Sequence, residues 1–183
     1  MLAGGSVLDL GCHPGGWCQV ALEASPGTRV VGLDPRPTAV PPGLRDRFTY
    51  VPGDAFDDAV RGQLAALCPG GYGTVLSDMC PALVGNARAD VLASVRVATR
   101  ALALATGGGA AGGPLLREGG NLVAKVLQGP GSDDVARAAR PLFDRVRCFR
   151  PQATRGESRE FFLVCLGRRA LAAAPGGAGQ PDR

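Results

Sequence analysis

Lys125 is the only lysine among 183 residues; apart from the single histidine, every other basic side chain is an arginine. It stands in NLVAKVLQG, residues 121–129, which otherwise reads as a buried β-strand. An ammonium group withdrawn from water needs a partner, so this position calls for an acid or a polar cleft. Asp78, in VLSDMCP, closes another strand-like run and is the first candidate. Glu160 directly precedes the strongly β run FFLVCLG; if that last strand inserts antiparallel beside the strand of Lys125, Glu160 enters the same cleft. Glu157, in the Arg/Gly-rich approach, reads as a solvated loop acid. An amine between two carboxylates can hold and move a proton, provided its surroundings set the right pKa. The competing reading is a lysine that only extends its amine from a strand end into water.

A second constellation precedes it. The run VLDLGCHPGGWCQVALE is a strand, a glycine loop and a helix start. That arrangement points backbone N–H groups and a positive helix end at the carboxyl edge of a sheet, where open α/β sheets bind ligands. Gly11, Gly15 and Gly16 permit close backbone approach. The spacing G-x-x-P-G-G matches neither the dinucleotide fingerprint nor the P-loop. Asp34, closing VVGLDP, suits a ribose diol, and Asp54, in YVPGDAF, can accept from an adenine amino group. Singly, each glycine is better explained by a turn and each aspartate by a helix cap; together, in order and at strand ends, they favour a ligand.

The elements that must position these groups follow from periodicity. Strands are expected at Ser6–Leu10, Arg29–Leu33, Phe48–Pro52, Thr74–Ser77, Asn121–Leu127, Arg145–Phe149 and Phe161–Leu166. Helical spacing covers Trp17–Ala24, Asp57–Leu67, Ala89–Ala105 and Ser132–Leu142, the last with Ser132 as N-cap. The alternation predicts an α/β domain with a mostly parallel sheet. Residues 106–114, TGGGAAGGP, read as a flexible insert, and the tail from residue 170 as disordered.

Bulk properties bound the rest. The chain is long enough for one domain with its own core, and its formal net charge of +4 is compatible with a polyanionic partner without demanding one. Six cysteines without a C-x-x-C pair, beside one histidine, offer no zinc ligand set and read as small core residues in a reducing compartment. No apolar run reaches the length of a membrane span, and no basic-then-apolar leader precedes the first strand. A soluble, unexported monomer is expected, in the cytoplasm or an organelle.

In order and spacing, VLDLGCHPGGWCQVALE, GLDP, GDAF, LSDMCP, LVAKVLQG and SREFFLVC resemble the FtsJ/RrmJ-type ribosomal RNA 2′-O-methyltransferases over roughly residues 5–168. The resemblance implies a Rossmann-like class I methyltransferase domain over residues 1–169: a seven-stranded, mostly parallel sheet with the last strand antiparallel and helices on both faces. It implies S-adenosyl-L-methionine as methyl donor, held by Gly11, Gly15, Gly16, Trp17, Asp34, Asp54 and Asp78, and no metal. Of the family's Lys-Asp-Lys-Glu tetrad, the last three members fall on Asp78, Lys125 and Glu160. The first, which the family carries ahead of its first strand, has no match here. Three readings follow: a longer natural chain, a substitute group, or a non-catalytic relative that only binds donor or RNA. His13 stands where relatives usually have a small residue and reads as a loop side chain at the cofactor's edge.

RNA also needs a surface, and DRVRCFRPQATRGESRE gathers Arg145, Arg147, Arg150, Arg155 and Arg159 just before Glu160. Arginine pairs with phosphates and stacks on bases, so this stretch is the candidate RNA track; the plain alternative is a solvated charged loop. A methyltransferase for a small molecule or a protein is a further rival, as is, more distantly, a nicotinamide-dependent oxidoreductase.

Overall fold

A computed structural model describes residues 5–82, 84–108, 113–151 and 159–170. Strands β1 (Ser6–Leu10), β2 (Arg29–Asp34), β3 (Phe48–Pro52), β4 (Tyr72–Ser77), β5 (Leu116–Leu127), β6 (Phe143–Phe149) and β7 (Glu160–Arg168) form one sheet. Their spatial order is β3-β2-β1-β4-β5-β7-β6. The first five run parallel, and β7 lies antiparallel between β5 and β6. Helices α1 (Gly16–Ala24), α2 (Asp58–Leu67), α3 (Ala87–Thr106) and α4 (Ser132–Ala139) connect them. This is the α/β sheet that the alternation of apolar runs and amphipathic stretches predicts, with its last strand reversed.

Strands buried on both faces need apolar side chains on both, and β1 shows how the layers divide. Leu8 and Leu10 pack with Leu64 of α2, Ala98 and Leu102 of α3 and Val135 of α4. Val7 faces the other way, onto Cys18, Ala21 and Leu22 of α1. The strand order reverses at β1, which has β2 on one side and β4 on the other, so a crevice opens at the carboxyl ends of β1 and β4. Backbone bonds fix its rim: the Gly11 and Cys12 N–H groups donate to the Leu33 carbonyl, and the Asp78 N–H to that of Leu10.

Several local expectations are corrected. β5 starts at Leu116 rather than at Asn121, because its register with β4 jumps from Tyr72↔Leu116 to Thr74↔Asn121. Gly119, at φ 69, sits in the bulge that takes up the extra residues. Ser132 is the first residue of α4 and not its cap; Gly131 occupies that place, and the Ser132 hydroxyl accepts from the Gly129 N–H at 3.3 Å. A short 3-10 helix, Pro42–Arg47, was not expected from its Pro/Gly-rich sequence. It delivers Arg47, whose Nη1 donates to the carbonyls of Leu22, Ser25 and Thr28 and so satisfies the end of α1. The expected insert is shorter than nine residues: Thr106 is buried in α3, and Gly107 caps it. Residues 109–112 of that insert and 171–183 of the expected tail lie outside the described residues. Cys12, Cys18 and Cys165 are buried core residues, but Cys80 and Cys148 are exposed, one in a loop and one on edge strand β6.

Candidate active site

Lys125 and Glu160 reach one cleft through strand register. On β5, Leu122, Ala124 and Val126 face the helices α2 to α4, which turns Val123, Lys125 and Leu127 to the α1 side. β7 pairs Leu127 with Glu160 and Lys125 with Phe162, so those side chains share the same face. The Gln128 N–H donates to the Arg159 carbonyl at 2.7 Å and fixes where β7 enters. Asp78 arrives from the end of β4. Lys125 Nζ lies 2.5 Å from Asp78 Oδ1 and 3.9 Å from Glu160 Oε1. The Lys125 side chain is 13% exposed, and the two acids are partly open to solvent.

Burial pulls the Lys125 pKa down, but the hydrogen bond and charge of Asp78, with smaller contributions from Cys80 and Glu160, more than reverse it. The net direction is up, so at neutral pH this is an ammonium group. It can orient and polarise an oxygen at once; to take a proton it must first be neutralised by another positive charge entering the cleft.

The glycine loop stands beside it. Gly15 caps α1 at φ 116. A Cβ there would meet the Ala39 carbonyl oxygen at 2.6 Å, whereas one on Gly16 would meet nothing within 4 Å. The first turn of α1 has no acidic side chain and no side-chain cap, so its N–H groups stay available. Asp34 is 4% exposed and already engaged: Oδ2 accepts from the His13 N–H at 3.2 Å, and Oδ1 from the Arg36 N–H at 2.9 Å and Nε at 3.3 Å. Burial raises its pKa, but those bonds win and hold the carboxyl below its ordinary value. A ligand diol would share this carboxylate with the loop it braces. Asp54 is exposed, and its Oδ1 accepts from the Phe56 N–H at 2.9 Å; the cap of α2 is Asp57 instead. Trp17 lays its ring 5.4 Å from that of Phe162. The His13 Nδ1 is 2.9 Å from the Pro37 carbonyl, which fastens the loop to the segment after β2. Among the described residues, no three His, Cys, Asp or Glu side chains gather into a metal-binding set.

With this geometry established, comparison with known proteins is decisive. The family model for FtsJ-like methyltransferases matches residues 1–168. The chain belongs to that family.

Two relatives of this FtsJ-like protein illustrate the match. A Myxococcus xanthus protein named ribosomal RNA large subunit methyltransferase E is 38% identical over 165 residues, covering 90% of this chain and 73% of its own. A protein of the same name from Natronomonas pharaonis is 39% identical over 166 residues, covering 90% and 61%. Solved structures speak to the fold. A Plasmodium falciparum protein named as a ribosomal RNA methyltransferase superposes with a TM-score of 0.74 at 22% identity, over 92% of this chain and 89% of its own. The antibiotic-resistance methyltransferase Kmr gives 0.53 at 21% identity, over 91% and 89%.

Sequence reasoning passed over Asp9. It is fully buried near the end of β1; its Oδ2 accepts from the Cys18 thiol at 3.1 Å, and its Oδ1 has no partner among the described residues. The signal was an acid inside the apolar run SVLDL. Burial lifts its pKa to about 6, opposed by the Cys18 hydrogen bond and aided by the charges of Asp78 and Asp34. The sign of the pH effect follows. Below about pH 4 the carboxyl is protonated whether folded or not, and nothing is lost. As pH rises through the unfolded value, only the unfolded chain ionises, so stability falls until the folded value is passed. Asp9→Asn removes this dependence. Urea unfolding between pH 4 and 7 should show the wild type losing on the order of 3 kcal/mol relative to the variant, and parallel curves would refute it.

Proposed function

We propose that this FtsJ-like protein transfers a methyl group from S-adenosyl-L-methionine to a ribose 2′-OH of RNA, with ribosomal RNA as the substrate. The observation that carries the reading is the amine of Lys125 held by Asp78 and Glu160 beside the glycine loop. The site also fits the donor. The space beside Gly16 is open, the α1 amino end offers free N–H groups for a carboxylate, Asp34 suits a ribose diol, and Asp78, with the orphaned Oδ1 of buried Asp9, suits a ligand bearing ammonium and sulfonium charges. Gly11, Gly15, Trp17 and Asp54 complete the residues that would hold it. When bound, the donor supplies an electrophilic methyl group on sulfur.

The remaining work falls to the chain. Lys125 donates to the 2′-oxygen and orients it, Asp78 fixes the amine, and Glu160 borders the entry side. Alignment of this kind contributes several kcal/mol, roughly 7–11 in well-oriented intramolecular reactions. Lys125 can take the hydroxyl proton only as a neutral amine, so with the donor's positive charge beside it the ammonium would first release one proton to solvent, and the neutral amine would then accept the hydroxyl proton as the 2′-oxygen bonds to the methyl carbon and the carbon–sulfur bond breaks. The surroundings suit a single-stranded target. Pairing of Lys125 with Phe162, and of Phe162 with Phe149, sets a row of side chains from the amine to the sheet edge on one face. Phe149 is 57% exposed, and aromatic faces of this kind stack on unpaired bases. Arg145 and Arg147 share that face through their pairing with Leu166 and Val164. Arg150 donates to Gln128 Oε1, Arg159 is exposed, and Arg155 lies outside the described residues.

Incubation with a labelled methyl donor and deproteinised ribosomal RNA, followed by digestion to nucleosides, tests the proposal: 2′-O-methylated nucleosides support it, and base-methylated ones refute it. A binding relative without turnover would instead show donor binding without transfer. For the RNA surface, the double variant Arg145→Gln, Arg147→Gln should flatten the salt dependence of RNA binding by roughly 0.7 for each phosphate that no longer finds a cation, measured as the slope of log affinity against log salt. An unchanged slope removes these arginines from the RNA track.

A further inference from the structure

A second charged cleft lies on the opposite side of the sheet from Lys125, between α2 and α3. It measures ≈ 220 Å³, and among its walls are Phe56, Asp58, Arg61, Arg100 and Leu104. No residue of the glycine loop, nor Asp34, Asp78 or Lys125, lines it.

Arg61 is the unusual member. It is 4% exposed, in the first turns of α2, and its Nη2 donates to the Gly113 carbonyl at 2.8 Å. Nε and Nη1 are buried without a hydrogen-bond partner among the described residues. A guanidinium cannot shed its proton to ease burial, so the charge stays, and buried N–H groups on a charged side chain are the kind that a structure leaves open only where something else completes them. Asp58, one turn earlier on α2, is exposed at the rim, and among the described residues no ion pair joins it to Arg61. A second guanidinium enters from α3: Arg100 stacks with its central carbon 3.4 Å from the Phe56 ring centroid. Stacking holds that group flat and leaves its N–H edges free for a ligand. The cleft therefore carries two fixed positive charges against one solvated acid. It is smaller than the roughly 300–1,000 Å³ of pockets for drug-sized molecules, which excludes a whole nucleotide and suits a tetrahedral oxyanion.

We propose that the α2/α3 cleft is a binding site for a phosphate-type oxyanion, completed by Arg61 and Arg100. The phosphate comes either from the RNA backbone or from free phosphate in solution. The chemistry recognised is the same in both cases, and it does not depend on which nucleotide is methylated.

The full chain, in phosphate-free buffer, is titrated with inorganic phosphate against chloride at matched ionic strength. The melting temperature should rise with phosphate alone, by on the order of 5–10 °C at a hundred times Kd. Arg61→Met, which replaces the orphaned charge with an apolar side chain of similar length, should melt no lower than the wild type without phosphate and should not respond to it. Arg100→Gln, on an exposed position, keeps the fold accessible to test and should weaken the phosphate response. RNA binding in phosphate-free buffer separates the sources: weaker RNA binding by both variants identifies a backbone phosphate, and unchanged RNA binding with an abolished phosphate response identifies the free ion. A wild type indifferent to phosphate, or a response that survives in both variants, overturns the proposal.

Discussion

Lys125→Arg lowers methyl transfer by about 10²–10⁴-fold while leaving donor binding nearly unchanged. Arginine retains the positive charge and can still pair with Asp78, so an electrostatic or structural role would survive the exchange. What it removes is the capacity to exist as a neutral base, since a guanidinium stays protonated throughout the working pH range. In the wild type, Asp78 and Glu160 hold the amine protonated, and the rate of transfer should therefore rise with pH into the alkaline range. In Lys125→Arg that rise disappears along with the rate. Lys125→Met adds a control: it loses both charge and proton capacity, so the difference between Met and Arg measures the purely electrostatic share. Single-turnover rates across pH, with donor affinity measured separately by calorimetry, check the prediction. If Lys125→Arg transfers methyl at close to the wild-type rate, the amine is no proton acceptor and the assignment of the step to Lys125 fails.

The same residue shows how much of this site could be read before any fold was known. A lone amine in a buried strand is a local anomaly, and its acids closed or opened neighbouring apolar runs, so the chemistry could be inferred from types and positions alone. The mostly parallel α/β sheet was legible because short apolar and β-branched runs alternate with amphipathic segments. What stayed hidden depended on partners distant in sequence. Arg61 sits in an amphipathic helix, where an arginine ordinarily faces water; its burial arises from Gly113 and α3 closing over it. Asp34 looked free for a ligand because nothing in the sequence says that the His13 N–H, 21 residues away, turns back onto it. Arg47 capping α1 from a 3-10 helix is the same kind of contact. The bulge of β5 was obscured because adjacent glycines, Gly119 and Gly120, break the strand pattern locally while the ladder continues past them.

Gly15→Ala and Gly16→Ala should separate stability from donor binding at neighbouring positions. At Gly15, an added methyl meets two independent obstacles. The backbone is at φ 116, where an L side chain is strained, and the Cβ would stand 2.6 Å from the Ala39 carbonyl oxygen and 3.4 Å from Thr38 Cγ2. The nearer obstacle is backbone, so no rotamer change relieves it. Strain and overpacking each cost about 1–3 kcal/mol, and the loop can escape only by moving away from residues 38–39, which pulls His13 off Asp34. Gly15→Ala should accordingly melt several degrees lower and bind S-adenosyl-L-methionine roughly 10- to 1,000-fold more weakly. At Gly16 the methyl points into open space and φ is ordinary. Gly16→Ala should melt with the wild type, yet lose donor affinity, because the methyl projects into the space where the donor's carboxylate would meet the α1 amino end. Differential scanning calorimetry and isothermal titration on the two variants distinguish these outcomes. A Gly16→Ala protein that binds donor as tightly as the wild type would show that the helix end is not where the donor is held, whatever happens at Gly15.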